Sequence, residues 1–199
     1  MHFCGGVVKM NGIFPTMTLS ELDVTKTCCF TGHRNTKLPG EGDRNDAGMK
    51  RLKSTLELEI YDLIHDKGVR YFISGMANGI DLICAEAVIR LKNTSCPEVG
   101  LVCAVPYLGQ MAEIKTPTER YIYTMLEHNS IQTVILAEGY YKDCYKERNE
   151  FMVDNSSYLL AVYKPMLKGS GTLQTINYAR KQGLEIRLID LDKNPQFYS

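Results

Sequence analysis

From residue 26 to residue 190, short apolar runs alternate with stretches whose apolar residues recur at helical spacing. No other feature restricts the fold as much. Residues 26–31 (KTCCFT), 71–74, 99–105, 133–137, 158–163 and 185–190 read as strands. Met49, Leu52, Leu56, Ile60, Leu63 and Ile64 form the stripe of an amphipathic helix, which Gly68 stops. Ile80, Ile83, Cys84, Ala87, Val88 and Leu91 form a second. Residues 117–129 and 145–155 read as two more, and Leu173, Ile176 and Ala179 mark another. Such alternation implies α/β architecture, a three-layer α/β/α sandwich around a mostly parallel sheet. Its crossovers are right-handed, and ligands bind outside the carboxyl ends of the strands, at the point where the strand order reverses.

The last unit, residues 158–190, places Gly169-Ser170-Gly171-Thr172 where a helix begins. Backbone N–H groups there lack intrahelical partners and carry the positive end of the helix dipole. Glycines let a ligand approach closely, and the arrangement suits a phosphate. A tight turn capped by Thr172 is the simpler alternative for this segment taken alone.

The chain has 199 residues, consistent with one domain. Residues 1–24, with Gly5, Gly6, Gly12 and Pro15 and no clear period, read as an N-terminal extension, a hairpin or an arm. Residues 25–199 read as the single domain. The 23 basic and 23 acidic residues cancel, which argues against a large nucleic-acid footprint. No apolar stretch approaches the roughly 20 residues of a membrane helix. The N-terminus lacks a secretory pattern, so the expected location is cytoplasmic. The seven cysteines include no C-x-x-C pair. Cys4, Cys28, Cys29 and His33 match no recognised metal spacing, and no metal is expected.

On a parallel sheet, the strand ends deliver a defined set of groups to one edge. The first strand brings Thr31, Gly32, His33 and Arg34; the second brings Ser74, Gly75 and Met76, then Gly79 and Asp81. Pro106 closes the third. The helix before the fifth carries Arg148, Asn149 and Asp154, and the fifth leads into Lys164 and Gly169–Thr172. Arg34 and Arg148 are suited to grip an anion through a planar fork. Asp81 and Asp154 are suited to accept from ribose or base groups, although Asp81 as a helix cap is the plainer reading. His33 alone reads as a loop histidine. Tyr107, Tyr140, Tyr141 and Tyr145 fall near the same edge; half-buried packing is the simpler reading, and stacking on a base the alternative.

The ordered series TGHR (31–34), SGMANGIDLICAEAV (74–88), VPYLGQ (105–110), YKERNEFMVDNSSYLLAVY (145–163) and GSGTLQTINYAR (169–180) resembles the YpsA-like family of the SLOG superfamily. That superfamily also holds the DNA-processing protein DprA and the LOG phosphoribohydrolases. The resemblance implies a Rossmann-like sheet and a pocket for a nucleotide, a nucleotide sugar or an NAD-derived ligand. Carried over by motif, residues 31–34 form one wall and Ser74, Gly75, Met76, Gly79 and Asp81 another. Arg148, Asn149 and Asp154 flank the ligand, and Gly169, Ser170, Gly171 and Thr172 hold its phosphate. The LOG pattern PGGxGTxxE is altered here: its Pro-Gly-Gly start is missing, and Gln174 and Thr175 stand where acidic residues belong. Neither side chain acts as a base near neutral pH, which weighs against the LOG hydrolytic mechanism. The expectation is therefore a protein that binds a nucleotide-type ligand as a sensor or regulator. Nucleotide hydrolysis and DprA-like single-stranded DNA binding are the alternatives, and zero net charge weighs against the latter. Rossmann-like domains often pair, so a homo-oligomer is also expected, with no sequence feature marking its interface.

Overall fold

A computed structural model describes residues 8–9, 22–165 and 170–198. Its strands are β1 (Val8–Lys9), β2 (Thr27–Gly32), β3 (Tyr71–Ser74), β4 (Gly100–Val105), β5 (Gln132–Ile135), β6 (Tyr158–Tyr163) and β7 (Glu185–Asp190). Its α-helices are α1 (Ala47–Asp66), α2 (Ile80–Thr94), α3 (Pro117–Asn129), α4 (Cys144–Asp154) and α5 (Gly171–Gln182). The strand order is β1-β5-β4-β3-β2-β6-β7. All neighbours from β5 to β7 are parallel, and only β1 runs antiparallel, against β5. The fold is the expected Rossmann-like α/β arrangement. Within the N-terminal extension, Val8 and Lys9 add an edge strand; the rest of residues 1–21 lies outside the described residues.

The chain moves outward from β2 through β3 and β4 to β5, then returns past β2 to lay down β6 and β7. The order therefore reverses between β2 and β6, whose register pairs Thr31 with Ala161 and Gly32 with Val162. Two chain segments leaving in opposite directions open a crevice at their carboxyl ends.

Alternation along each strand divides the core. Cys28, Phe30, Phe72 and Leu160 pack with α1, α2 and α3, whereas Cys29, Ile73, Leu159 and Ala161 pack with α4 and α5. The adjacent Cys28 and Cys29 thus face opposite layers, as strand geometry requires. Phe30 and Phe72 stack at 5.8 Å between ring centroids. Local signals start the helices: Asp46 accepts the Met49 N–H at 2.8 Å, and Thr116 accepts that of Glu119 at 3.2 Å. The strand expected over 133–137 ends early, at Ile135. The carbonyl of Ala137 instead accepts the Leu108 N–H at 2.9 Å and closes a loop. Among the described residues no helix is long and apolar enough to cross a membrane.

Candidate functional site

A cavity of about 300 Å³ lies at the carboxyl ends of β2 and β6. Each wall follows from a local feature of the chain.

The β2 wall leads into His33, which is 4% exposed. Its Nε2 accepts the backbone N–H of Lys164 at 3.0 Å, so one side chain ties the exit of β2 to the exit of β6. An accepting Nε2 places the ring proton on Nδ1. Burial, reinforced by the charges of Lys37 and Lys164, lowers the imidazole pKa and keeps the ring neutral. Arg34 follows, exposed, with its guanidinium 5.6 Å from the Tyr145 ring centroid.

The β3 exit supplies the second wall. Ser74 Oγ donates to the Asp81 carbonyl at 2.9 Å and accepts the Met76 N–H at 3.2 Å. Met76 is fully buried with φ +57°, a left-handed conformation that costs a side chain of this kind about 1–3 kcal/mol. Gly79 follows at φ +94°, where a Cβ would run into the His33 carbonyl oxygen. This packing holds the 75–79 loop against the β2 exit, and the Ile80 N–H donates to the His33 carbonyl at 3.2 Å.

Asp81, in the first turn of α2, meets Arg148 of α4 beneath the cavity. Arg148 Nη1 lies 3.4 Å from Asp81 Oδ2 and also donates to the Gly75 carbonyl. Both side chains are almost completely buried. Burial pushes the Asp81 carboxyl above its usual range, with Arg148 and the Ala77 N–H opposing the rise. Burial likewise pulls Arg148 down, with Asp81 opposing, but a guanidinium keeps its proton inside proteins. The Arg148 Nε and the Asn78 Oδ1 are buried, and neither has a hydrogen-bond partner among the described residues. Buried polar groups are normally satisfied, and these two are exceptions at the cavity wall; Gln110 Oε1, Gln132 Oε1 and Ser156 Oγ are others away from it.

The last wall is the start of α5. Ser170 Oγ accepts the Leu173 N–H at 3.3 Å. The N–H groups of Gly171 and Thr172, which lack intrahelical acceptors, stand at the cavity.

Thr31, Gly32, His33 and Arg34 line this cavity, as do Asp81, Arg148 and Asn149 and then Ser170, Gly171 and Thr172. Ser74, Gly75, Met76 and Gly79 stand behind it and shape its wall. Pro106 is buried one strand further along and does not line it. Asp154 sits at the far end of α4, outside the cavity, where it accepts the Tyr178 hydroxyl at 2.9 Å. Gly169 lies outside the described residues. Sequence reasoning omitted Thr36, Lys37, Ala77 and Asn78, which also line the cavity. Each lies within three residues of one that was chosen, so extending the two loops would have found them. Tyr145 lines the cavity, with Tyr107 and Tyr140 at 6.2 and 6.4 Å between ring centroids.

A Rossmann-like α/β sandwich with a crevice where its strand order reverses defines a broad class of folds. Within it, the chain belongs to the YspA SLOG family, whose model matches residues 28–194. That stretch includes every residue lining the cavity. A UPF0398 protein of Halalkalibacterium halodurans is 29% identical over 146 residues, covering 73% of this chain and 76% of that protein. The UPF0398 protein YpsA of Bacillus subtilis is 24% identical over 171 residues, covering 84% and 93%. Neither name states an activity.

Proposed function

We propose that the cavity binds a phosphorylated small molecule of the nucleotide type and that the chain acts as a sensor or regulator through it. One observation carries the reading. The start of α5 converges at the strand-order reversal with Arg34, Lys37 and the unpartnered Nε of Arg148. Asp81 is the only acid lining the cavity among the described residues, so three cations less one acid leave +2. That charge suits a phosphate monoester, with Gly171 and Thr172 N–H donating to its oxygens.

Titration calorimetry of AMP, UMP, GMP and CMP against wild type and an Arg34→Ala/Lys37→Ala variant tests the reading. Both side chains are exposed, so their loss leaves the core intact. The expected result is binding of at least one nucleotide, weakened roughly a hundredfold in the variant for two charge-assisted contacts. No binding to wild type, or equal binding to both proteins, refutes it. Arg148→Ala is a poor probe, because it strands the buried Asp81 at a cost of about 3–5 kcal/mol.

Asp81 favours a second reading, N-glycosidic hydrolysis, because its raised pKa suits a proton donor. Its Oδ2 is already engaged by Arg148 and the Ala77 N–H, each at 3.4 Å. Binding therefore comes first. Release of free base from AMP by wild type, and not by Asp81→Asn, would reverse the order.

A further inference from the structure

Another cavity, of about 340 Å³, lies in the groove between α1, α2 and α3 and shares no lining residue with the first. Its charged rim comes from Arg44 of the loop before α1, Lys53 of α1, and Glu86 and Arg90 of α2. Two carboxylates serve the three cations, and an arginine already engages each of them. Glu86 accepts Arg44 Nη1 at 3.0 Å and Nη2 at 2.7 Å, a two-pronged pair. Glu57 accepts Arg90 Nη2. Glu57 also stands four residues after Lys53, where a carboxylate ordinarily pairs with a helical lysine. With Glu57 taken by Arg90, Lys53 makes no ion pair or hydrogen bond among the described residues. A lysine normally carries its ammonium out to water on a flexible stem. Lys53 instead stays half-buried beside two guanidiniums. Burial and then the Arg44 charge hold its pKa below the ordinary value, with Arg90 adding to them and Glu86 opposing. Arg44, Lys53 and Arg90 less Glu57 and Glu86 leave +1, one negative charge short of balance. Beneath the rim the floor is apolar, made by Ile83, Ala87, Ile89 and Met125. A phosphate or a diacid would overshoot that charge and leave the floor uncovered. A single negative charge on an apolar body matches both.

We propose that this groove is a second binding site, for a small monocarboxylate with an aliphatic or aromatic body. The carboxylate sits on the Lys53 ammonium and on the Nη1 and Nε N–H groups that Arg90 does not give to Glu57, and the body lies on Ile83, Ile89 and Met125. The site stands apart from the nucleotide reading, and neither depends on the other. NMR titrations of the full chain with hexanoate, benzoate and 2-naphthoate, each against its neutral amide, test it. At least one acid is expected to bind about tenfold tighter than its amide and to move the methyl signals of Ile83, Ile89 and Met125. Lys53→Met keeps an aliphatic stem and a good helix former while removing the charge. It should weaken the acid about tenfold and hold the amide within about twofold. Lys50→Met, at an exposed lysine of α1 outside the groove, should change neither. The proposal is overturned if no acid binds, if acid and amide bind alike, or if the shifts spare those three methyls. A preference that survives Lys53→Met, or falls equally in both variants, overturns it too.

Discussion

His33 shows how much one side chain decides in this protein. Its neutral ring accepts the Lys164 N–H, and protonating Nε2 would destroy that bond. Its folded pKa lies below the ordinary 6.5 through burial and the charges of Lys37 and Lys164. Between the lowered value and 6.5 the unfolded chain binds the proton more readily than the folded one, so stability rises with pH across that window. The denaturation midpoint should therefore fall as pH drops from 7 to 5, and fall less in His33→Gln, which lacks the titrating group. Equal pH slopes in the two proteins would contradict the role given to His33. Sequence reading placed His33 at the strand end but could not supply its partner, 131 residues away. The same limit applied to Arg148, expected to grip an anion with its whole fork. One nitrogen of that fork is taken by Gly75 and Asp81, the latter 67 residues distant in the chain. Pairings of that span depend on packing and leave no local trace.

At the scale of elements, helix starts do most of the positioning. Ser170 caps α5 and thereby orients the Gly171 and Thr172 N–H groups. Ser170→Ala should lower stability by about 0.5–2 kcal/mol in chemical denaturation, the usual worth of such a cap. An unchanged midpoint would mean the cap contributes nothing. The glycine-flanked start of α5 was legible because such signals are local, but the cap is Ser170 and not Thr172, which lies within the first turn. The face presented by α4 was less so. Arg148, Asn149 and Asp154 share that helix, but Asp154 lies six residues beyond Arg148, about 9 Å along the axis and well around the cylinder. Hence Arg148 lies beneath the cavity while Asp154, outside it, holds the Tyr178 hydroxyl of α5.

For the whole molecule, the test is whether both core layers exclude reagents as the packing implies. Cys28, Cys29, Cys84, Cys96, Cys103 and Cys144 are free and buried. Burial pushes Cys29 and Cys103 up to about 12, and Cys28 and Cys84 also well above the usual thiol range. Packing shields all six from a reagent, and in those four burial also suppresses the reactive thiolate, so none of the six should react with Ellman's reagent at pH 8 in the native protein. All six should react in denaturant; native labelling at any of them, located by peptide mapping, would contradict the packing. By itself the sequence determined the elements, because apolar periodicity and capping are written over a few neighbouring residues. It also determined that the small and polar residues of each unit fall at the strand exits. Only the tertiary structure decided that β6 returns beside β2, and this brings residues 31–37 against 145–149 and 170–172. Strand order depends on how distant apolar faces cover one another, and no local pattern encodes it.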